Sequence, residues 1–237
     1  MNAPSASQMC QHERVSARKI AHCFCAAVVT AWSALLSAPL FFASASAATC
    51  PDIEVTFARA TGEPPGVGVV GQEFIDALRS QVGGRSVAIY PVNYPASADF
   101  APSANAGAVD ANAHVESMAA SCPNTKLVLG GYSLGAAAAD VVVAMNQPGF
   151  GYTDPLPPPA DQHVAAVALF GNATQRVVGD VPGPRPDLAG KVIDLCAPGD
   201  PICTGGIQDL HWHSHLQPSY IDSGLVDRVA NFVAGRI

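Results

Sequence analysis

Positive charge is scarce in this sequence: 12 lysines and arginines stand against 19 aspartates and glutamates in 237 residues, a formal net charge of −7. No basic stripe runs through it, which excludes the electrostatic footprint of a nucleic-acid-binding protein. There is no internal repeat, no heptad pattern and no block of like charge, so a solenoid or a coiled coil is excluded as well. The Pro/Gly-rich stretches DPLPPPADQ, from Asp154, and GDVPGPRPDLAG, from Gly179, are too short for a lid domain and read as loops.

Long apolar runs are also rare, and the one that stands out lies at the beginning. Arg14, Arg18 and Lys19 precede an apolar run from Ala21 to Ala48 that ends in the small residues of FFASASAATC. This is the layout of a secretory signal over residues 1–47, with A-x-A sites ending at Ala45 or Ala47. The competing reading is an uncleaved anchor, because about 20 apolar residues span a bilayer. Pro39 and the A-x-A sites favour cleavage, and with it an extracellular protein, free or held at the cell wall, without stable membrane insertion. The leader holds three basic residues and one acid, Glu13, so residues 48–237 carry −9 rather than −7. They are enough for one domain with a substantial core and too few for two.

Outside the leader four cysteines remain, Cys50, Cys122, Cys196 and Cys203. An even number after export implies two disulfides. The spacing in CAPGDPIC makes Cys196 with Cys203 the local pairing, which leaves Cys50 with Cys122 and encloses Asp200 in the short loop.

Five β-rich apolar runs follow one another: 53–60, 87–92, 126–130, 164–170 and 191–197. Between them lie helical patterns, with Val69, Phe74, Leu78 and Val82 about a turn apart, an Ala-rich segment 104–121, an all-apolar segment 134–145, and a closing helix marked by Ile221, Leu225, Val229, Phe232 and Val233. Continuously apolar strands alternating with helices imply a three-layer α/β/α sandwich around a mostly parallel five-stranded sheet, without a lid domain.

Gly131-Tyr132-Ser133-Leu134-Gly135 fits G-x-S-x-G at a strand-to-helix bend, where a serine is lifted out of the packed layers. A serine hydroxyl needs an adjacent base, and a histidine base needs a carboxylate to fix its tautomer. In this chain order the acid and then the base should follow the serine. Asp200, just after the last strand, is favoured over Asp194, which lies inside the strand pattern KVIDLCA. Among the histidines, His114 and His163 read as surface or packing residues. His211, His213 and His215 form HWHSH, whose alternation raises a metal site, but no cysteine or carboxylate nearby completes an obvious ligand set. His215 is preferred over His213 as the base, and no metal or other cofactor is expected.

These residues resemble the cutinase family, in particular the cutinase-like serine esterases of actinobacteria. The resemblance rests on CPDIEVTFARATGEPPGVG, CPNTKLVLGGYSLGAAAAD, CAPGDPIC and HLQPSYIDSGL in this order. It implies a small secreted hydrolase with Ser133, Asp200 and His215 as its triad, the two bridges named above, and an oxyanion hole from Thr61 of FARATGE and the Leu134 backbone N–H. Ala60 stands where glycine is usual and Leu134 where glutamine is common. Tyr220 lies five residues beyond His215 where many relatives have three. The implied activity is hydrolysis of short to medium acyl esters, lipid esters or a polyester by a monomer. Acyl transfer to a cell-wall glycolipid and a catalytically silent secreted binding module are the alternatives.

Overall fold

The segment IEVTFA is buried along its whole length, and such a strand forms only where both faces of a sheet are covered. The computed structural model describes residues 50–204 and 212–237. The expected leader over 1–47 and His211 lie outside the described residues. Strand β1, Ile53–Ala58, is central, and β2 (Val87–Pro91), β3 (Lys126–Tyr132), β4 (Val164–Phe170) and β5 (Val192–Leu195) complete a sheet of order β2-β1-β3-β4-β5. Every neighbouring pair is parallel.

The helices are α1 (Gly68–Gln81), α2 (Phe100–Ser121), α3 (Leu134–Ala144), the single turns α4 (Pro158–Asp161), α5 (Thr174–Val177) and α6 (Pro218–Ile221), and α7 (Leu225–Ala234). Alternation along the strands divides the core in two. Leu127, Leu129, Val167 and Leu169 face one layer with α2 and α3. Ile53, Val55, Phe57, Val128 and Phe170 face the other with α1 and α7. The three-layer parallel sandwich is thus the observed architecture.

Two expectations shift. The expected closing helix is two pieces, because Gly224 adopts φ 76° between α6 and α7. Strand β5 is four residues long rather than seven: the chain turns away after Leu195 and carries Asp200 into a turn of its own. Both changes fall at the carboxyl end of the sheet, where ligands bind in open α/β sheets.

Candidate active site

The bend after β3 is set by close approach. A Cβ on Gly131 would run into the Gly135 carbonyl, and one on Gly135 would run into the Ala58 carbonyl at the end of β1. Only with both side chains absent can α3 leave β3 so abruptly. Ser133 sits between them at φ 57°, ψ −117°, a conformation that costs a non-glycine residue about 1–3 kcal/mol and persists only where its surroundings enforce it. Its N–H donates to the Phe170 carbonyl at 2.9 Å, and its carbonyl accepts the first helical bond from Ala137 N–H at 3.1 Å. The first N–H groups of α3, Leu134 among them, have no partner within the helix and point towards the bend.

His215 lies in a 3₁₀ turn, Trp212–His215. Its Nε2 is 2.8 Å from Ser133 Oγ, and its Nδ1 is 2.6 Å from Asp200 Oδ2. Asp200 is wholly buried. Burial pushes its carboxyl up, but hydrogen bonds from His215, Tyr220 and the Ile202 N–H together outweigh that and hold it below the ordinary carboxylate value. The Ile202 N–H donates to Oδ1 at 2.7 Å, and the Tyr220 hydroxyl donates to Oδ2. Tyr132 stacks near the imidazole, with centroids 5.5 Å apart, and its hydroxyl donates to the His215 carbonyl. Gly171, at φ 55°, leaves room for this side: a Cβ there would lie 2.6 Å from Tyr220 Oη and 3.1 Å from His215 Cε1.

The bridges are Cys50–Cys122 and Cys196–Cys203. The second closes the loop around Asp200, whose carbonyl also accepts Thr204 Oγ1 at 2.5 Å. Cys196 Sγ, Cys203 Sγ and an Asp200 oxygen lie within 4.8 Å of one another. The two sulfurs are spent on each other as a disulfide, and a metal ligand must be a thiolate.

Thr61 is exposed in the turn after β1. Ala58 pairs with Gly131 across β1 and β3, so this turn and Ser133 leave neighbouring strands at the same end of the sheet. The turn is cross-braced. The Glu63 carboxylate accepts the N–H groups of Ala60 at 2.7 Å and Val69 at 3.0 Å. The buried Arg59 guanidinium donates to the Glu63 and Tyr94 carbonyls at 2.8 and 2.9 Å, and the Tyr94 hydroxyl donates to the Arg59 carbonyl. Leu134 turns its side chain into the core, leaving its backbone at the bend. Glu63, Arg59, Tyr132 and Tyr220 escaped sequence reasoning. Glu63 carried a weak signal, a carboxylate three residues after an alanine in a glycine-bearing turn, whereas Tyr220 carried none beyond its distance from His215.

The remaining candidates lie elsewhere. His213 is exposed, and its carbonyl accepts Leu216 N–H and Ser219 Oγ. The 3₁₀ turn replaces the extended geometry that would aim alternate histidines one way. His114 stacks face to face on Tyr90 and lies 2.6 Å from Glu54. Asp194 faces away from His215: Asn172 Nδ2 donates to it at 2.9 Å and to Asp140 at 3.0 Å.

The Asp194 side chain stays accessible to solvent, which screens its charge, yet partial desolvation of its carboxyl against the sheet, with a smaller push from the Asp140 charge, raises it to about 6, and the Asn172 bond opposes this only in part. Between the unfolded value of 3.8 and about 6 the folded chain holds the extra proton, so this residue makes stability fall as pH rises through that window. Asp194→Asn is therefore expected to melt above the parent protein at pH 8, with the gap closing towards pH 4. Calorimetry across that range measures it, and parallel curves at all pH values would refute the assignment.

Comparison with known proteins places the chain in one family. The family model described as Cutinase matches residues 49–237. Phospholipase Culp4 of Mycobacterium tuberculosis (strain ATCC 25618 / H37Rv) is 48% identical over 222 residues, covering 94% of this chain and 93% of that protein. Carboxylesterase Culp1 of Mycobacterium bovis (strain ATCC BAA-935 / AF2122/97) is 45% identical over 216 residues, covering 89% and 93%. A Trichoderma reesei cutinase solved with a phosphonate inhibitor superposes with TM-score 0.57 at 32% identity, covering 78% of this chain and 76% of that one. The catalytic core domain of acetyl xylan esterase from Trichoderma reesei gives 0.65 at 25% identity, covering 79% and 100%. The chain belongs to the cutinase family and is a carboxylic ester hydrolase.

Proposed function

We propose that this chain is a secreted serine esterase that cleaves esters of short to medium acyl chains through an acyl-enzyme, with Ser133 as nucleophile, His215 as base and Asp200 as the carboxylate behind it. The observation that carries the proposal is the pair of contacts at His215, 2.8 Å to Ser133 Oγ on one nitrogen and 2.6 Å to Asp200 Oδ2 on the other. In the first step Ser133 Oγ attacks the ester carbonyl and its proton passes to His215 Nε2. The carbonyl oxygen becomes an anion facing the α3 N-terminus, where the Leu134 N–H and Thr61 act as donors. Collapse of this intermediate expels the alcohol, which leaves with the proton from His215. Water then attacks the acyl-enzyme, gives its proton to His215 and releases the acid, and Ser133 Oγ regains that proton. Asp200 stays ionised throughout, because its buried carboxylate is more stable with three donors than with an added proton.

An apolar acyl chain is supported by Trp212 and Leu216, which flank His215 and are 55% and 54% exposed. Export is supported by the basic and apolar layout of residues 14–48 together with two disulfides. No helix among the described residues is long and apolar enough to cross a membrane.

A fluorophosphonate probe tests the proposal, since its tetrahedral phosphorus is attacked only by an activated alcohol. Labelling is expected at Ser133 and absent in Ser133→Ala. A Ser133→Ala protein that still takes the label overturns the assignment.

A further inference from the structure

The aromatic ring of Tyr220 has an ordinary role. It is fully buried, edge-on to Tyr132 at 5.3 Å and to Phe170 at 6.5 Å, and a phenylalanine would fill the same space. Its hydroxyl has no packing rationale, because burying one costs free energy unless it is hydrogen-bonded. Here it donates to Asp200 Oδ2, the oxygen that also meets His215 Nδ1, while it accepts the Ala197 N–H at 3.2 Å and lies 3.6 Å from Cys203 Sγ. One atom therefore touches the carboxylate, the strand end from which the carboxylate's loop departs, and the disulfide that closes that loop.

We infer that Tyr220 is a positioning residue for ester hydrolysis: from α6 its hydroxyl clamps the Asp200 carboxylate in the one orientation that meets His215. This rests on the triad proposed above. The carboxylate has three donors, one on Oδ1 from Ile202 and two on Oδ2 from His215 and Tyr220. Of these only Tyr220 comes from outside the Asp200 loop and the reacting histidine, so it ties the acid to the rigid layer under the sheet. Burial, reinforced by its bond to Asp200, pushes the Tyr220 phenol up, so it remains a donor across the working range of pH. Among the described residues the other titratable group facing the couple is the Tyr132 phenol on β3, raised by burial, then by the Asp200 charge and then by Glu63 from the turn after β1.

Tyr220→Phe keeps the ring and removes the clamp. The expected result on a soluble nitrophenyl ester is a fall in kcat of about tenfold, the discrimination typical of a hydrogen bond to a charged group, with KM unchanged. The acid limb of kcat/KM is expected to move to higher pH. With one donor gone, the Asp200–His215 couple binds a proton more tightly, whichever atom holds it. Because the effect acts through the carboxylate, Tyr220→Phe in an Asp200→Asn background should lower kcat less than twofold further. If Tyr220→Phe folds poorly, 3-fluorotyrosine in place of Tyr220, a stronger donor in the same ring, should move the limb to lower pH. A melting temperature that drops while kcat and the acid limb stay put assigns Tyr220 to packing and overturns the inference. Full activity in Asp200→Asn would instead sink the triad reading itself, so the two failures are distinguishable.

Discussion

Ser133→Ala is expected to lower kcat on p-nitrophenyl esters by roughly 10⁵- to 10⁶-fold, His215→Ala by a similar factor, and Asp200→Asn by about 10⁴-fold, the losses that the proposed triad implies for three groups acting as a unit. His213→Ala should stay within twofold of the parent. The inequality follows from the contacts: the His215 ring lies within hydrogen-bond distance of both Ser133 and Asp200, while His213 is an exposed residue of the same turn. For the same reason the losses should not add. Once the serine is gone there is no proton for the base to take, so the Ser133→Ala/His215→Ala protein should be no slower than either single variant. Steady-state kinetics across acyl lengths measures all five variants against the parent. If His213→Ala is dead and His215→Ala active, the base has been assigned to the wrong ring.

Removing the two bridges separately should produce different losses. The Cys50–Cys122 bridge closes a separation of 72 residues and the Cys196–Cys203 bridge one of 7. Loop-closure entropy then assigns about 4 kcal/mol to the long bridge and about 2 kcal/mol to the short one. Cys50→Ser/Cys122→Ser is expected to unfold at a melting temperature lower by about 10 °C, with kcat at 25 °C near the parent value. Cys196→Ser/Cys203→Ser should lose less stability but about 10- to 100-fold in kcat. Freed of its tie, the loop no longer holds Asp200 to the fraction of an ångström that proton transfer needs. Calorimetry and kinetics on the same two proteins test the contrast. A short-bridge variant with unchanged kcat would leave that bridge as a staple only, with the Thr204 and Ile202 bonds sufficient to hold the loop.

Sequence and tertiary structure contributed at different ranges. The strands were legible because each is apolar over its whole length, as Val164–Phe170 is, and a strand covered on both faces must be. The bend at Ser133 was legible because its glycines are demanded by contacts close in sequence or across one neighbouring strand. The break at Gly224 was masked by the apolar spacing from Ile221 to Val233, which continues across it. Asp194 could be separated from Asp200 by its place inside a strand pattern, but its partners Asn172 and Asp140 lie 22 and 54 positions away and leave no local trace.

What the sequence by itself determined is the order of layers and the identity of the alcohol at the bend, because periodicity and turn chemistry act over a few residues. What only the tertiary structure decided is which imidazole reaches that alcohol across 82 positions, which phenol holds the acid, and how Glu63 and Arg59 brace the turn beside them. These contacts depend on strand order, on the register of Ala58 against Gly131 and on the close passage of α6 beneath Asp200. Such long-range approaches arise from the packing of whole layers, and packing has no period that a single segment can display.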